Sequence, residues 1–149
     1  MNRAYIIIDC WPTVNNKIVS NIYNQLKSRP HSHVIVANYG GPNGTYTLHP
    51  VINSYLQNRA HYAITYNTEH LAPILTKHRV DQVCIMGSDW PACTHNSPVG
   101  VRALQQLQLT VPFELIVYPT CVQSYHTKKL ISHHDLSGWT AVNDYFVLP

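Results

Sequence analysis

Three runs in this chain, Ile6-Ile7-Ile8, Val34-Ile35-Val36 and Leu115-Ile116-Val117, are apolar at every position, not at every second one. A strand with one face in water alternates, whereas a strand that is apolar throughout needs cover on both faces. That condition is met in a parallel sheet flanked by helices. Five strand-sized runs stand out, at residues 5–9, 33–37, 62–66, 82–86 and 113–118. Between them the spacing is helical. Ile18, Ile22 and Leu26 recur every fourth residue before Pro30, and Val51, Ile52, Tyr55 and Leu56 form a second stripe. Leu71, Ile74 and Leu75 make a third, and Val101, Leu104 and Leu107 a fourth that Pro112 closes. Strand and helix thus alternate, which predicts an α/β fold with a mostly parallel sheet built from right-handed βαβ units. In the tail, residues 128–133 read as a further helix and 139–142 as one more strand. Residues 39–44, Tyr-Gly-Gly-Pro-Asn-Gly, are turn chemistry.

At 149 residues the expectation is a single domain, residues 1–149, with a core of ordinary size. Charged residues are only 11% of the chain against a usual share of about 25%. A surface so poor in charge has little to desolvate on packing against protein, so a homo-oligomer or a larger protein assembly is the expected state. The ten Lys and Arg outnumber the seven Asp and Glu but are scattered, with only Lys128 and Lys129 adjacent. No concentrated basic footprint is present, and nucleic acid is not expected as a partner. No apolar run is long enough for a membrane span, and the start runs into a strand without the features of a signal peptide. Cys10, Cys84, Cys93 and Cys121 contain no C-x-x-C pair. They read as free thiols in a reducing compartment, hence a cytoplasmic location.

In an open parallel sheet, ligands gather beyond the carboxyl ends of the strands. Here those ends carry Asp9-Cys10-Trp11, Asn38-Tyr39, Tyr66-Asn67, Gly87-Ser88-Asp89-Trp90 and Tyr118-Pro119. Asp9, directly after three isoleucines, either points into that crevice or caps the segment that follows. Cys93 stands near a helix start, where a thiolate is favoured and a cysteine can act as a nucleophile; the alternative is a small apolar side chain filling space. Trp11, Tyr39, Tyr66 and Trp90 either line a pocket or cover an edge. His95 is a possible base for Cys93, although two residues apart on one helix point in different directions. The pairs His31/His33 and His133/His134 flank turns, and neither zinc-finger spacing nor His-Glu-x-x-His occurs. No metal and no cofactor are expected; a small-molecule ligand remains open.

The stretch Ala4-Tyr5-Ile6-Ile7-Ile8-Asp9 resembles the first strand of the isochorismatase-like cysteine hydrolases, the superfamily that includes nicotinamidases and carbamoylsarcosine amidases. Val80 to Gly87, with Cys93 six residues beyond the glycine, is similar to that family's fourth strand and nucleophile loop. Val101-Arg102-Ala103-Leu104 and Phe113-Glu114-Leu115-Ile116-Val117 are similar to its next helix and fifth strand, so the resemblance covers residues 4–125 in order. It implies a Rossmann-like three-layer α/β/α sandwich, dimers or tetramers, Asp9 as general base and Cys93 as nucleophile. Ser88, Asp89 and Ala92 would then shape the oxyanion loop, with a cis peptide at either Ser88-Asp89 or Trp90-Pro91.

The family's third member, a lysine at the end of the third strand, is replaced here by Tyr66. A neutral phenol does not favour a thiolate as an ammonium does. The Asp and two His of metal-binding members are also missing after the second strand, where Ala37-Asn38-Tyr39 stands, and His49 is too isolated to restore them. Pro98 either breaks a helix begun at Cys93 or becomes the first residue of one capped by Ser97. The resemblance with these departures implies a domain with an incomplete Asp-Lys-Cys triad that binds or assembles without turning over substrate. The alternative is a cysteine hydrolase acting on a small amide through Cys93 and Asp9.

Overall fold

The computed structural model describes residues 2–39, 47–59 and 62–149. Most of the 39–44 turn and His61 therefore lie outside the described residues. Strands β1 (Arg3–Ile8), β2 (His33–Ala37), β3 (Tyr62–Ile64), β4 (Gln82–Trp90) and β5 (Glu114–Ser124) are joined by helices. These helices are α1 (Asn16–Ser28), α2 (Pro50–Gln57), α3 (Leu71–Lys77), α4 (Cys93–Asn96) and α5 (Val101–Leu107). After β5 come β6 (Thr140–Val142) and β7 (Tyr145–Leu148). Among the described residues the strands form one seven-stranded sheet in the order β3-β2-β1-β4-β5-β7-β6. The first five are mutually parallel, and β7 pairs antiparallel with both β5 and β6. The fold is α/β with a mixed, mostly parallel sheet.

The continuous apolar runs have the predicted cause. Every residue of β1 is buried, and its alternate side chains enter two separate cores. Ala4, Ile6 and Ile8 pack with Leu71 and Leu75 of α3 and Val101 and Leu104 of α5. Tyr5 and Ile7 pack with Ile18, Ile22 and Leu26 of α1 and Ile52 and Leu56 of α2. Each fully buried aliphatic side chain contributes roughly 1.5–3 kcal/mol. A polar substitution at any of positions 4–8 therefore lands in one core or the other.

Local signals set the helix limits. The Asn15 side chain accepts from Lys17 N at 2.9 Å and caps α1, and Pro30 follows its end. Pro50 opens α2, capped by His49 accepting from Val51 N at 3.2 Å. The tail differs from the sequence reading. Residues 128–133 form no helix: they make a turn and a short antiparallel bridge, Gln123 to Leu130, and a 3-10 turn follows at His133–Leu136. Backbone pairing to the extended end of β5 competes successfully with a weak local preference. The strand expected at 139–142 is β6, and β7 is an additional partner that the sequence reading did not separate from it.

Candidate functional site

The chain leaves β1 toward β2 and β3 on one side, then returns to β4 on the other. The carboxyl ends of β1 and β4 are therefore the switch point at which the topology opens a crevice. Asp9 and the segment from Gly87 to Cys93 sit there. Two backbone features fix the place. Gly87 has φ +107°, and a Cβ on it would stand 2.0 Å from the Ile8 carbonyl oxygen, so only glycine permits this approach of β4 to β1. Asp9 itself has φ 46°, a left-handed conformation that Asp tolerates better than most residues.

Asp9 is buried. Its Oδ1 accepts from Tyr39 N at 2.7 Å, its own N–H donates to Ala37 O at 3.1 Å, and its carbonyl accepts from Ser88 Oγ at 2.7 Å. Three strand ends are thereby tied through one residue. The Ser88–Asp89 and Trp90–Pro91 peptide bonds are both cis. Ala92 precedes α4 without offering a side-chain cap, and its carbonyl accepts from His95 N and Asn96 N. Cys93 opens α4, and the helix is a single turn. The chain breaks at Ser97-Pro98 and restarts as α5 after Gly100. Pro98 thus neither sits inside the helix of Cys93 nor begins the next one.

Asp9, Cys93 and Tyr66 come together. Burial is the largest influence on all three. It raises the Asp9 carboxyl, opposed by the Tyr39 N–H and the Cys93 thiol and reinforced by the charge of Asp89. The Cys93 thiol is pushed up to about 11 by burial, then by the hydrogen bond and charge of Asp9. A backbone hydrogen bond from Asp89 lowers it, and the Asp89 carboxylate raises it again. Burial and the negative charges of Asp9 and Cys93 push the Tyr66 phenol to about 12. The thiol is near enough to act on the Asp9 carboxyl as a weak donor. No group among the described residues satisfies Oδ2 at full hydrogen-bond geometry. At neutral pH Cys93 is a thiol and Tyr66 a neutral phenol.

The other candidates separate. Tyr39 is half-exposed, edge-on to Tyr66 with ring centroids 5.9 Å apart. Trp90, only 3% exposed, is part of the core beneath the site. It stacks edge-on with His95 at 4.3 Å and donates from Nε1 to Asp135 O at 3.3 Å. His95 Nδ1 engages Thr94 Oγ1 at 3.1 Å, and burial together with the charge of Arg102 pulls the imidazole down to about 4. Trp11, Ser88 and Asp89 line a cavity of about 360 Å³, within the usual range for small ligands, whose walls do not include Asp9, Cys93 or Tyr66.

The same cavity is lined by two residues that the sequence did not suggest, Gln123 and Lys128. Gln123 Nε2 donates to Asp89 Oδ1 at 3.0 Å, and Lys128 Nζ pairs with Asp89 Oδ2 at 2.7 Å. They reach the site because β5 continues past Pro119 to Ser124. The sequence reading ended this strand at Tyr118-Pro119, and only the pair Cys121-Val122 beyond the proline hinted at a continuation. Among the described residues, no cluster of three or more His, Cys, Asp and Glu could hold a metal ion. No helix there is long and apolar enough to cross a membrane. Comparison with known protein families, curated proteins and solved structures yields no match to the chain.

Proposed function

We propose that this chain is an isochorismatase-like domain with an incomplete Asp-Lys-Cys triad, working by binding or assembly without turnover. In this reading residues 1–149 form one Rossmann-like three-layer α/β/α sandwich. Support comes from the switch-point crevice and from the meeting there of Asp9, Cys93 and the tyrosine that stands where the family has lysine. One observation carries the functional half: the charged side chains acting on Cys93 are the carboxylates of Asp9 and Asp89, and both raise its pKa. Tyr66 supplies no positive charge, and Lys128 is engaged by Asp89. A thiol held at about 11 is a poor nucleophile at neutral pH.

The ligand in this reading is a small polar molecule occupying the cavity of Trp11, Ser88, Asp89, Gln123 and Lys128. Assembly with other copies or other proteins of the cytoplasm is the second part of the proposal. It draws on the charge-poor surface and on Ile64, 76% exposed on the edge strand β3. Nucleic acid has no role in it.

The contact between the Asp9 carboxyl and the Cys93 thiol favours a second reading, a hydrolase of small amides. There the Asp9 carboxylate takes the Sγ proton and sulfur adds to the carbonyl carbon. The carbonyl electron pair moves to oxygen, near the N–H groups of Ala92 and Cys93. The amine departs with the proton returned by Asp9, and water cleaves the thioester. A panel of primary amides and esters, assayed with the protein and with Cys93→Ala, separates the two readings. Equal, background-level turnover in both supports the binding reading. Turnover that Cys93→Ala abolishes while its circular dichroism is unchanged overturns it.

A further inference from the structure

At the opposite end of the sheet, where β1 and β2 begin and α1 ends, lies a second cavity of about 460 Å³. Its walls include Arg3, Arg29, His31, His33 and His78, and among the described residues no carboxylate lines it. The neighbouring acid in the chain, Asp81, is exposed and outside the wall. Arg3 is the unusual member. It is 3% exposed, and its hydrogen-bond partners among the described residues are all neutral. Its Nε donates to Gln82 Oε1 at 2.6 Å, and its Nη1 donates to Tyr118 Oη at 2.6 Å and Tyr5 Oη at 3.3 Å. The rings of Tyr5, Tyr118 and Tyr145 surround it at 5.4–5.7 Å. Gln82 then donates to Glu114 at 2.8 Å, so the carboxylate of this chain of contacts stands one amide away.

A buried cation without a counter-ion is costly, and proteins offset that cost with a partner of opposite charge. Arg29, at the end of α1, adds a second positive charge to the same wall. Its side chain is exposed at the rim of the cavity. The carbonyl end of α1 would oppose an anion, but it is covered. Arg59 donates to Leu26 O at 2.9 Å, Arg29 O at 2.7 Å and Ser32 O at 2.6 Å. The stacked imidazoles of His33 and His78, 4.2 Å apart, complete one side.

We propose that this cavity is a binding site for a small oxyanion of the phosphate or phosphomonoester class, separate from the Asp9–Cys93 site. The test is a two-dimensional ¹H–¹⁵N NMR titration of the full chain with inorganic phosphate, at constant ionic strength kept with chloride. The expected result is saturable shifts confined to residues 2–3, 28–33 and 78–80, with a Kd of about 1 mM or tighter. Arg29→Gln weakens binding about tenfold or more, the usual effect of removing a charge-assisted hydrogen bond. Lys17→Gln, which removes an exposed charge at the far end of α1, leaves Kd unchanged. Absence of saturation, shifts scattered over the surface, or equal losses in the two variants overturns the proposal. A parallel titration with phenyl phosphate identifies the source. Tighter binding than phosphate points to a monoester whose organic part lies on the imidazoles, and equal binding points to the free ion.

Discussion

The reactivity of Cys93 follows quantitatively from its surroundings. An exposed cysteine with a pKa of about 8.5 is roughly one-quarter thiolate at pH 8. Cys93, pushed up to about 11, is about one-thousandth thiolate at that pH, some 200-fold less. The more basic thiolate is also the better nucleophile; with a Brønsted coefficient of about 0.45, this returns about a factor of 13. The net expectation is a rate of exchange with a small disulfide reagent about 20-fold below that of an exposed thiol, with a midpoint near pH 11. Tyr66→Lys places an ammonium where the phenol now acts on both Cys93 and Asp9. An opposite charge at such a site lowers a pKa by about 1–3 units. With the same correction, the rate at pH 8 rises roughly 3- to 20-fold. Each cysteine is followed separately by mass spectrometry of the folded protein; Cys10, Cys84 and Cys121 are buried and serve as slow references. A wild-type midpoint at or below pH 8.5 would refute the electrostatic argument. A Tyr66→Lys profile superimposable on wild type would refute the assignment of Tyr66 to the lysine's place.

Other perturbations test the scaffold and its titration. Asp9 has a folded pKa raised above its unfolded value, so its contribution to stability is present at low pH and is lost as pH rises through the folded pKa. Asp9→Asn, which keeps an acceptor for Tyr39 N and tolerates φ 46°, is expected to be the more stable form at pH 7 in urea melts, the difference closing below about pH 4. His95 has the reverse sign. Its folded pKa is depressed to about 4, so its contribution is complete above about pH 6.5 and is lost as pH falls toward 4. That loss is at most about 3 kcal/mol, and acid titration of His95→Gln should lack it. Gly87→Ala combines a positive φ with a Cβ 2.0 Å from Ile8 O, and a loss of about 3–5 kcal/mol is expected. In a chain of this size that lowers Tm by roughly 6–20 °C, and a Tm within about 2 °C of wild type would contradict the close approach of β1 and β4.

The sequence by itself determined the class of fold, because a run such as Ile6-Ile7-Ile8 is stable only with cover on both faces and Ile18, Ile22 and Leu26 are spaced to supply such cover. It also marked Asp9 as a strand-end residue and Cys93 as standing near the start of the next helix, since position relative to an apolar run is a local property. Pairing across the sheet is not local, and there the reading along the chain ran out. The order β3-β2-β1-β4-β5 decides that Asp9 and Cys93, 84 positions apart, share one crevice with Tyr66. The pairing of Gly87 with Val122 and of Trp90 with Ser124 carries β5 past Pro119 and delivers Gln123 and Lys128 to Asp89. That same extended strand end takes residues 128–133 into a turn and bridge where local preference suggested a helix. The charge state of the site is likewise a tertiary matter. Desolvation and the field of Asp9, the largest influences on the Cys93 thiol, both depend on what the fold packs around it; only the smaller effect of Asp89 comes from nearby in the chain.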